Sequence, residues 1–175
     1  MTLTQAFSPN PAIYFAFNSP AWSVSVEAFF YLTFPLLALL LPYAGIRRVG
    51  RSLLLALGLF GAWLWIAFHY AGNPKFHWYC YVFPVHRLFD FAIGVCFGVV
   101  YLRGSERGWF AWSFAAATLL EVAVLSGITG LVLAWPPVPY GVRLGPFYTP
   151  AMASLILVLA AGRGAVSRLL RFRLL

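Results

Sequence analysis

The chain is poor in acidic residues, in charge of either sign and in cysteine, and each scarcity excludes something. Glu27, Asp90, Glu106 and Glu121 are the only carboxylate side chains among 175 residues, and charged residues make up 9% of the whole. An ordinary soluble domain carries roughly 25%, so these residues cannot furnish a water-exposed surface around an apolar core. Cys80 and Cys96 are the only cysteines, and their spacing supports neither a disulfide framework nor a zinc or redox motif. His69, His77 and His86 form no metal-ligand pattern either, so no metal is expected. There is no glycine-rich phosphate loop. The first 21 residues lack a basic region followed by a short apolar run and a small-residue cleavage site, so no signal peptide is expected.

What the chain has is apolar length. Hydrophobic residues make up 62%, and the mean hydropathy is +0.84. A bilayer core about 30 Å thick takes roughly 20 apolar residues in a helix, the one single-segment structure that satisfies its own backbone in lipid. Stretches 23–42, 52–71, 83–102 and 109–135 meet or approach that requirement, and 147–162 is shorter and interrupted by Pro150. The expected fold is therefore all-α: a polytopic membrane bundle of about five helices spanning residues 1–175, with no soluble domain.

The net charge of +8 would suggest nucleic acid but for where the arginines sit. They flank apolar blocks, which makes membrane lipid the expected neighbour and nucleic acid not a partner. Arg47, Arg48 and Arg51 follow the first stretch, Arg103 and Arg107 the third, and Arg163, Arg168, Arg171 and Arg173 the fifth. Lys75 and Arg143 lie in the intervening loops. Because Lys and Arg collect on the cytoplasmic side, the N-terminus is predicted outside the cell membrane. Trp22, Trp78, Tyr79, Tyr81, Trp109, Trp112 and Trp135 cluster near the predicted helix ends, as amphipathic rings do at headgroup depth. Residues 165–175 alternate arginine with leucine and valine, a pattern that suits a cytoplasmic surface helix or a linker.

Ionisable groups inside a span cost roughly 2.5 to 3.5 kcal/mol each on insertion scales and so need a partner or a purpose. Asn18 or Ser19 is a candidate cap for the first helix, with Pro20 in its first turn. Ser23, Glu27 and Tyr31 then repeat at four-residue spacing and share one face. Two readings of that stripe are open: hydrogen bonding between helices, or a functional carboxylate. Arg87, Asp90, Gly94 and Gly98 share a face of the third helix. There the charges pair at i, i+3, and the glycines form a small-residue surface that lets another helix approach closely. A structural ion pair and a substrate-binding pair are both open. Glu27, Arg87 and Asp90 are expected at similar depth, where they could form one site. Glu121 sits deeper, with Ala117, Thr118 and Leu125 as helical neighbours, and is either protonated or partnered from elsewhere. His86 could act as a general base or be held at the interface.

The run Asn18-Ser-Pro-Ala-Trp22-Ser-Val-Ser-Val-Glu27-Ala-Phe-Phe-Tyr31, followed by Phe34-Pro35-Leu-Leu, closely resembles the signature of the integral-membrane acyltransferase 3 family. Arg87-Leu-Phe-Asp90-Phe91, leading to Gly94 and Gly98, is similar to that family's Arg-Leu-Pro-Glu-Phe block, with Phe89 for Pro and Asp90 for Glu. Segment 152–173 resembles the stretch that precedes the family's closing helix. The resemblance runs through nearly all of the chain and about half of the family's usual length. The family's opening helix, with its Arg and His, and its closing helix have no counterpart here. The chain is therefore expected to be a fragment, a truncated product or one half of a split protein, with the missing half or another subunit as partner.

The resemblance implies an enzyme that moves an acyl group, commonly acetyl from acyl-CoA (acetyl-CoA), to a hydroxyl of a cell-surface carbohydrate or lipid-linked acceptor. On it Glu27 and Arg87 are the candidate catalytic residues. Asn18, Trp22, Ser25, Tyr31 and Asp90 are the candidate substrate-binding residues. The histidine that the family uses as base is not in this chain. Two rival classes remain: a transporter or channel module lined by Glu27, Arg87, Asp90 and Glu121, and an inactive fragment or partner subunit.

Overall fold

A computed structural model describes residues 3–16, 18, 20–40, 46–70, 72–133 and 146–171. Ser19, Pro42, Trp135, Arg143 and Arg173 lie outside the described residues. Among those described, every regular element is helical. Four helices are long and apolar enough to cross a bilayer, or up to five if a pair bent by 74° counts as one span.

Helix α1 (Pro11–Tyr14) is a single turn, capped by the Asn10 side chain accepting from Ala12 N–H at 3.0 Å. Helix α2 (Ala21–Leu40) is the first span and α3 (Ile46–Tyr70) the second. The short helix α4 (Pro74–Tyr81) starts where Asn73 Oδ1 accepts from Lys75 N–H at 3.0 Å. After the extended residue Phe83, α5 (Pro84–Glu106) runs as the third span. Helix α6 (Phe114–Leu133) is the fourth span. The bent pair is α7 (Thr149–Ala161) and α8 (Ala165–Arg171).

Two boundaries differ from expectation, each for a local reason. The fourth span begins at Phe114 and not near Trp109. Gly108 takes a left-handed φ of 72°, and Trp109 N–H closes a turn on the Gly104 carbonyl at 2.9 Å. Trp109 and Trp112 therefore sit in the connection. Pro150 does not interrupt the last apolar stretch; it lies in the first turn of α7, where a missing N–H breaks no intrahelical bond. At the other end of α7, Gly162 adopts φ 66°, the left-handed stop that glycine takes without a Cβ penalty.

Helix α5 is central and packs against α2, α3, α4 and α7, and α7 in turn packs against α6. Ring contacts give the directions. Trp22 lies 4.8 Å from Tyr81, and Phe30 stacks 4.8 Å from Phe91, so α2 and α5 run the same way. Thr149 meets Asp90, and Tyr101 meets Ala160, so α5 and α7 also run together. Helices α3 and α6 run the opposite way, with Trp63 meeting His86 and Glu121 meeting Val166. The alternation gathers Arg51, Arg103, Arg107, Arg163, Arg168 and Arg171 at one end of the bundle, with Lys75 at the other.

The N-terminal segment is built into this frame. Gln5 Nε2 donates to the Ala21 carbonyl at 2.9 Å, and Trp78 Nε1 donates to the Ala6 carbonyl at 3.0 Å. Ala6, Tyr14, Val26 and Val82 form a buried cluster there, flanked by Trp22, Phe30, Trp78 and Tyr81. Burial raises the Tyr14 phenol above its ordinary pKa, so it enters the cluster as a neutral ring.

Candidate active site

The polar face read along α5 is real and faces α7. Arg87 Nη1 pairs with Asp90 Oδ2 at 2.8 Å, and both side chains are largely covered, at 27% and 17% exposed. Thr149, at the start of α7, donates its hydroxyl to Asp90 Oδ1 at 2.5 Å. Asp90 is thus gripped from both sides, by a cation on its own helix and a hydroxyl on its neighbour. The Arg87 guanidinium also lies 5.9 Å from the Tyr81 ring, within cation–π range. Together these groups form one polar end of a cleft of about 610 Å³ between α5 and α7.

The expectation for Gly94 and Gly98 was close approach of another helix, and the structure corrects it. A Cβ built at either glycine meets nothing within 4 Å. Both are exposed and line the cleft, which places them on the floor of an open slot and not in a tight helix contact. The reason is that α7 touches α5 through polar bridges at two levels. Asp90 and Thr149 join at the upper one, and Tyr101 donates to the Ala160 carbonyl at 3.0 Å at the lower one. Thr149, Tyr148 and Tyr101 escaped the sequence reading, since no spacing rule links residues 59 positions apart.

The Ser23, Glu27 and Tyr31 stripe does not join this site. Glu27 is exposed and is not part of the cleft lining, and Tyr31 is 76% exposed. No ion pair links Glu27 to Arg87 among the described residues. The face that α2 turns to α5 is instead aromatic, through Phe30 and Phe34 on Phe91, while Trp22 meets Tyr81 at the end of α4. Ser23 donates to the Pro20 carbonyl at 2.8 Å, a first-turn bond within its own helix. Ser25 is 1% exposed and tethers the N-terminal segment: its hydroxyl donates to the Leu3 carbonyl at 2.6 Å and accepts from Ala6 N–H at 3.4 Å. Asn18 is exposed, and its carbonyl accepts from Ala21 N–H at 2.9 Å. Of the seven residues expected at the site, Arg87 and Asp90 line the cleft, and Trp22 reaches it only through Tyr81.

His86 points away from the cleft. It is 3% exposed, its ring centroid lies 3.9 Å from that of Trp63 on α3, and Nε2 has no hydrogen-bond partner. Packed among Trp63, Tyr79 and Phe89, it cannot reach a molecule held at Arg87.

Glu121 finds the distant partner that its helical neighbours could not supply. Fully buried, its carboxylate accepts from Val166 N–H at 2.8 Å and Ser167 N–H at 3.3 Å, the unsatisfied donors of the first turn of α8. A Cβ at Gly164 would overlap that carboxylate and force it to shift. Among the described residues, no group of three or more His, Cys, Asp or Glu side chains could hold a metal.

Against known proteins the chain has limited company. No family model matches it, and no solved structure matches it. It is 28% identical over 143 residues to a protein of Streptomyces mycarofaciens named "Acyltransferase MdmB". That match takes in 75% of this chain and 35% of the relative, so the chain spans about a third of the protein it resembles.

Proposed function

We propose that the chain is part of a membrane-bound acyltransferase of the acyltransferase 3 type, with its transfer site at the Arg87, Asp90 and Thr149 end of the α5–α7 cleft. The observation that carries the reading is a largely covered ion pair, in a helix long and apolar enough to cross a bilayer, that opens onto a cleft of about 610 Å³, in a chain similar to a protein named acyltransferase. An ionisable pair inside a span is costly, and a substrate gives it a purpose that packing alone does not.

The proposed reaction takes an acyl group, acetyl in the simplest case, from acyl-CoA to a hydroxyl of a cell-surface carbohydrate or lipid-linked acceptor. The acceptor oxygen attacks the thioester carbonyl, the C–O bond forms, the C–S bond breaks, and the thiol leaves with a proton. The Arg87 guanidinium has N–H donors besides Nη1, the nitrogen nearest Asp90, and these suit an oxygen that becomes negative during transfer. Asp90 holds the guanidinium in place, and Thr149 holds Asp90. The proton acceptor is proposed to come from outside these 175 residues, since His86 faces α3. Glu27 belongs to a second face, because an exposed carboxylate six residues into a candidate span calls for a protein or water neighbour. We place the protein in the cell membrane with its N-terminus outside.

The test is an acetyl-CoA transfer assay on the full-length protein in lipid. Arg87→Ala is expected to lower kcat by about 100-fold, the usual cost of losing one donor to a developing oxyanion, and Asp90→Asn, which leaves the donor but loosens it, by less. Membrane insertion should be unchanged. Full activity in Arg87→Ala would rule the cleft out as the transfer site.

A further inference from the structure

The α5–α7 cleft has a shape that catalysis at its polar end does not explain. Asp90 with Thr149 closes one end, and Tyr101 with Ala160 closes the other. Eleven residues separate Asp90 from Tyr101, which at 1.5 Å per residue makes the slot about 16 Å long. That is close to half of a hydrocarbon core about 30 Å thick, the depth that the chains of one leaflet occupy. Gly94 and Gly98 form the floor, with Met152 and Ile156 along the α7 wall. Arg87 and Asp90 lie three and six residues from the start of α5, roughly 5 to 9 Å below the helix end and near headgroup depth.

We propose that this cleft binds a single alkyl chain, with its tail along the Gly94–Gly98 floor and an oxygen-bearing head at Arg87 and Asp90. An alkyl chain matches the apolar walls and the length of this open slot. The head end both donates, through Arg87, and accepts, through Asp90, which suits an ester or a hydroxyl. An extended chain advances somewhat less than a C–C bond of about 1.5 Å per carbon, so the slot takes on the order of a dozen carbons. Binding of the chain stands by itself; its identity as a substrate tail rests on the acyltransferase reading. Two sources share this chemistry, the acyl chain of a long-chain acyl-CoA and the lipid tail of an acceptor.

The experiment uses the full chain in lipid nanodiscs and a long-chain alcohol carrying a diazirine at mid-chain. Photolabel is expected on α5 and α7 peptides containing Gly94, Phe97 and Ile156, and an excess of unlabelled alcohol should displace it. Gly98→Leu fills the floor and should cut that labelling at least tenfold. Gly58→Leu, at an exposed α3 position that also has nothing within 4 Å, should leave it unchanged. The displacement arm needs no variant, so a Gly98→Leu protein that fails to fold does not remove the test. Labelling spread over the outer faces of α3 and α6 and not displaced would overturn the proposal. So would absence of label from the slot, the result if a helix of a longer protein fills it. Competition by a long-chain acyl-CoA assigns the tail to the donor, and competition by an alkyl glucoside assigns it to the acceptor. Displacement by neither refutes the substrate assignment. Failure of the acyltransferase reading is a separate result: displaceable labelling with no acylated product from the full-length protein.

Discussion

Replacing Glu121 should loosen α8 by an amount that can be worked out. Its carboxylate accepts two backbone N–H groups at the start of α8, at 2.8 and 3.3 Å, in a fully buried setting. A hydrogen bond to a charged group contributes about 1.5 to 3 kcal/mol, and a donor left buried and unpaired costs a similar amount. Only part of this is felt, because an undocked α8 recovers bonds to water. A net loss of about 2 kcal/mol in Glu121→Ala, at 1.4 kcal/mol per factor of ten, raises the undocked fraction roughly 30-fold. Tryptic cleavage after Arg168, in the middle of α8, reads that fraction directly when opening and closing are fast compared with cutting. Cleavage after Arg107, in the exposed turn beyond α5, is the internal reference. The isosteric Glu121→Gln keeps one acceptor and should fall between the two. A change of less than threefold in Glu121→Ala, with the reference site constant, would refute the claim that this carboxylate holds α8 in place.

Three further outcomes follow from other parts of the bundle. Trp63→Phe removes a buried N–H that has no partner, so it should change stability by less than about 1 kcal/mol, against 3 to 5 for Trp63→Ala, as read by thermal melts in detergent. Ser25→Ala removes the bonds to Leu3 and Ala6 and should cost about 1 to 2 kcal/mol, seen as roughly tenfold faster exchange of the Ala6 amide. In a double-mutant cycle for acyl transfer, Glu27→Gln and Arg87→Ala should be additive within about 0.5 kcal/mol, because the two side chains do not meet. A coupling above about 1 kcal/mol would place them in one site.

Apolar length and ionisable spacing were enough to read the helix count, the parallel course of α2 and α5, and the face shared by Arg87, Asp90, Gly94 and Gly98. These are local properties: a residue's face is fixed by helical period, and a charge in an apolar run stands out wherever it sits. What escaped depends on the other side of each contact. The partner of Glu121 is backbone N–H, which has no sequence signature, on a helix 45 residues away. The role of Gly94 and Gly98 depends on how far α7 stands off, and the Thr149 and Tyr101 bridges at the two ends set that distance. His86 is next to Arg87 in sequence, yet residues adjacent on a helix point about 100° apart, so one faces Trp63 and the other faces α7. Tyr31 fits the same account: it shares a helix face with Glu27, and that face is turned out of the described bundle.

The divergence of the two polar faces limits how the molecule can work. Helix α2 is joined by aromatic rings to α4, with Trp22 on Tyr81, and to α5, with Phe30 and Phe34 on Phe91. Such a seam is apolar and leaves no room for a shared pocket between Glu27 and Asp90. Asp90 is held by Arg87 and Thr149 within the bundle, whereas Glu27 is exposed on another face. Tyr81 touches both sides, meeting Trp22 with its ring and lying under the Arg87 guanidinium. Moving that ring is therefore felt on both faces, at Trp22 and at Arg87, the only cation in the cleft lining among the described residues.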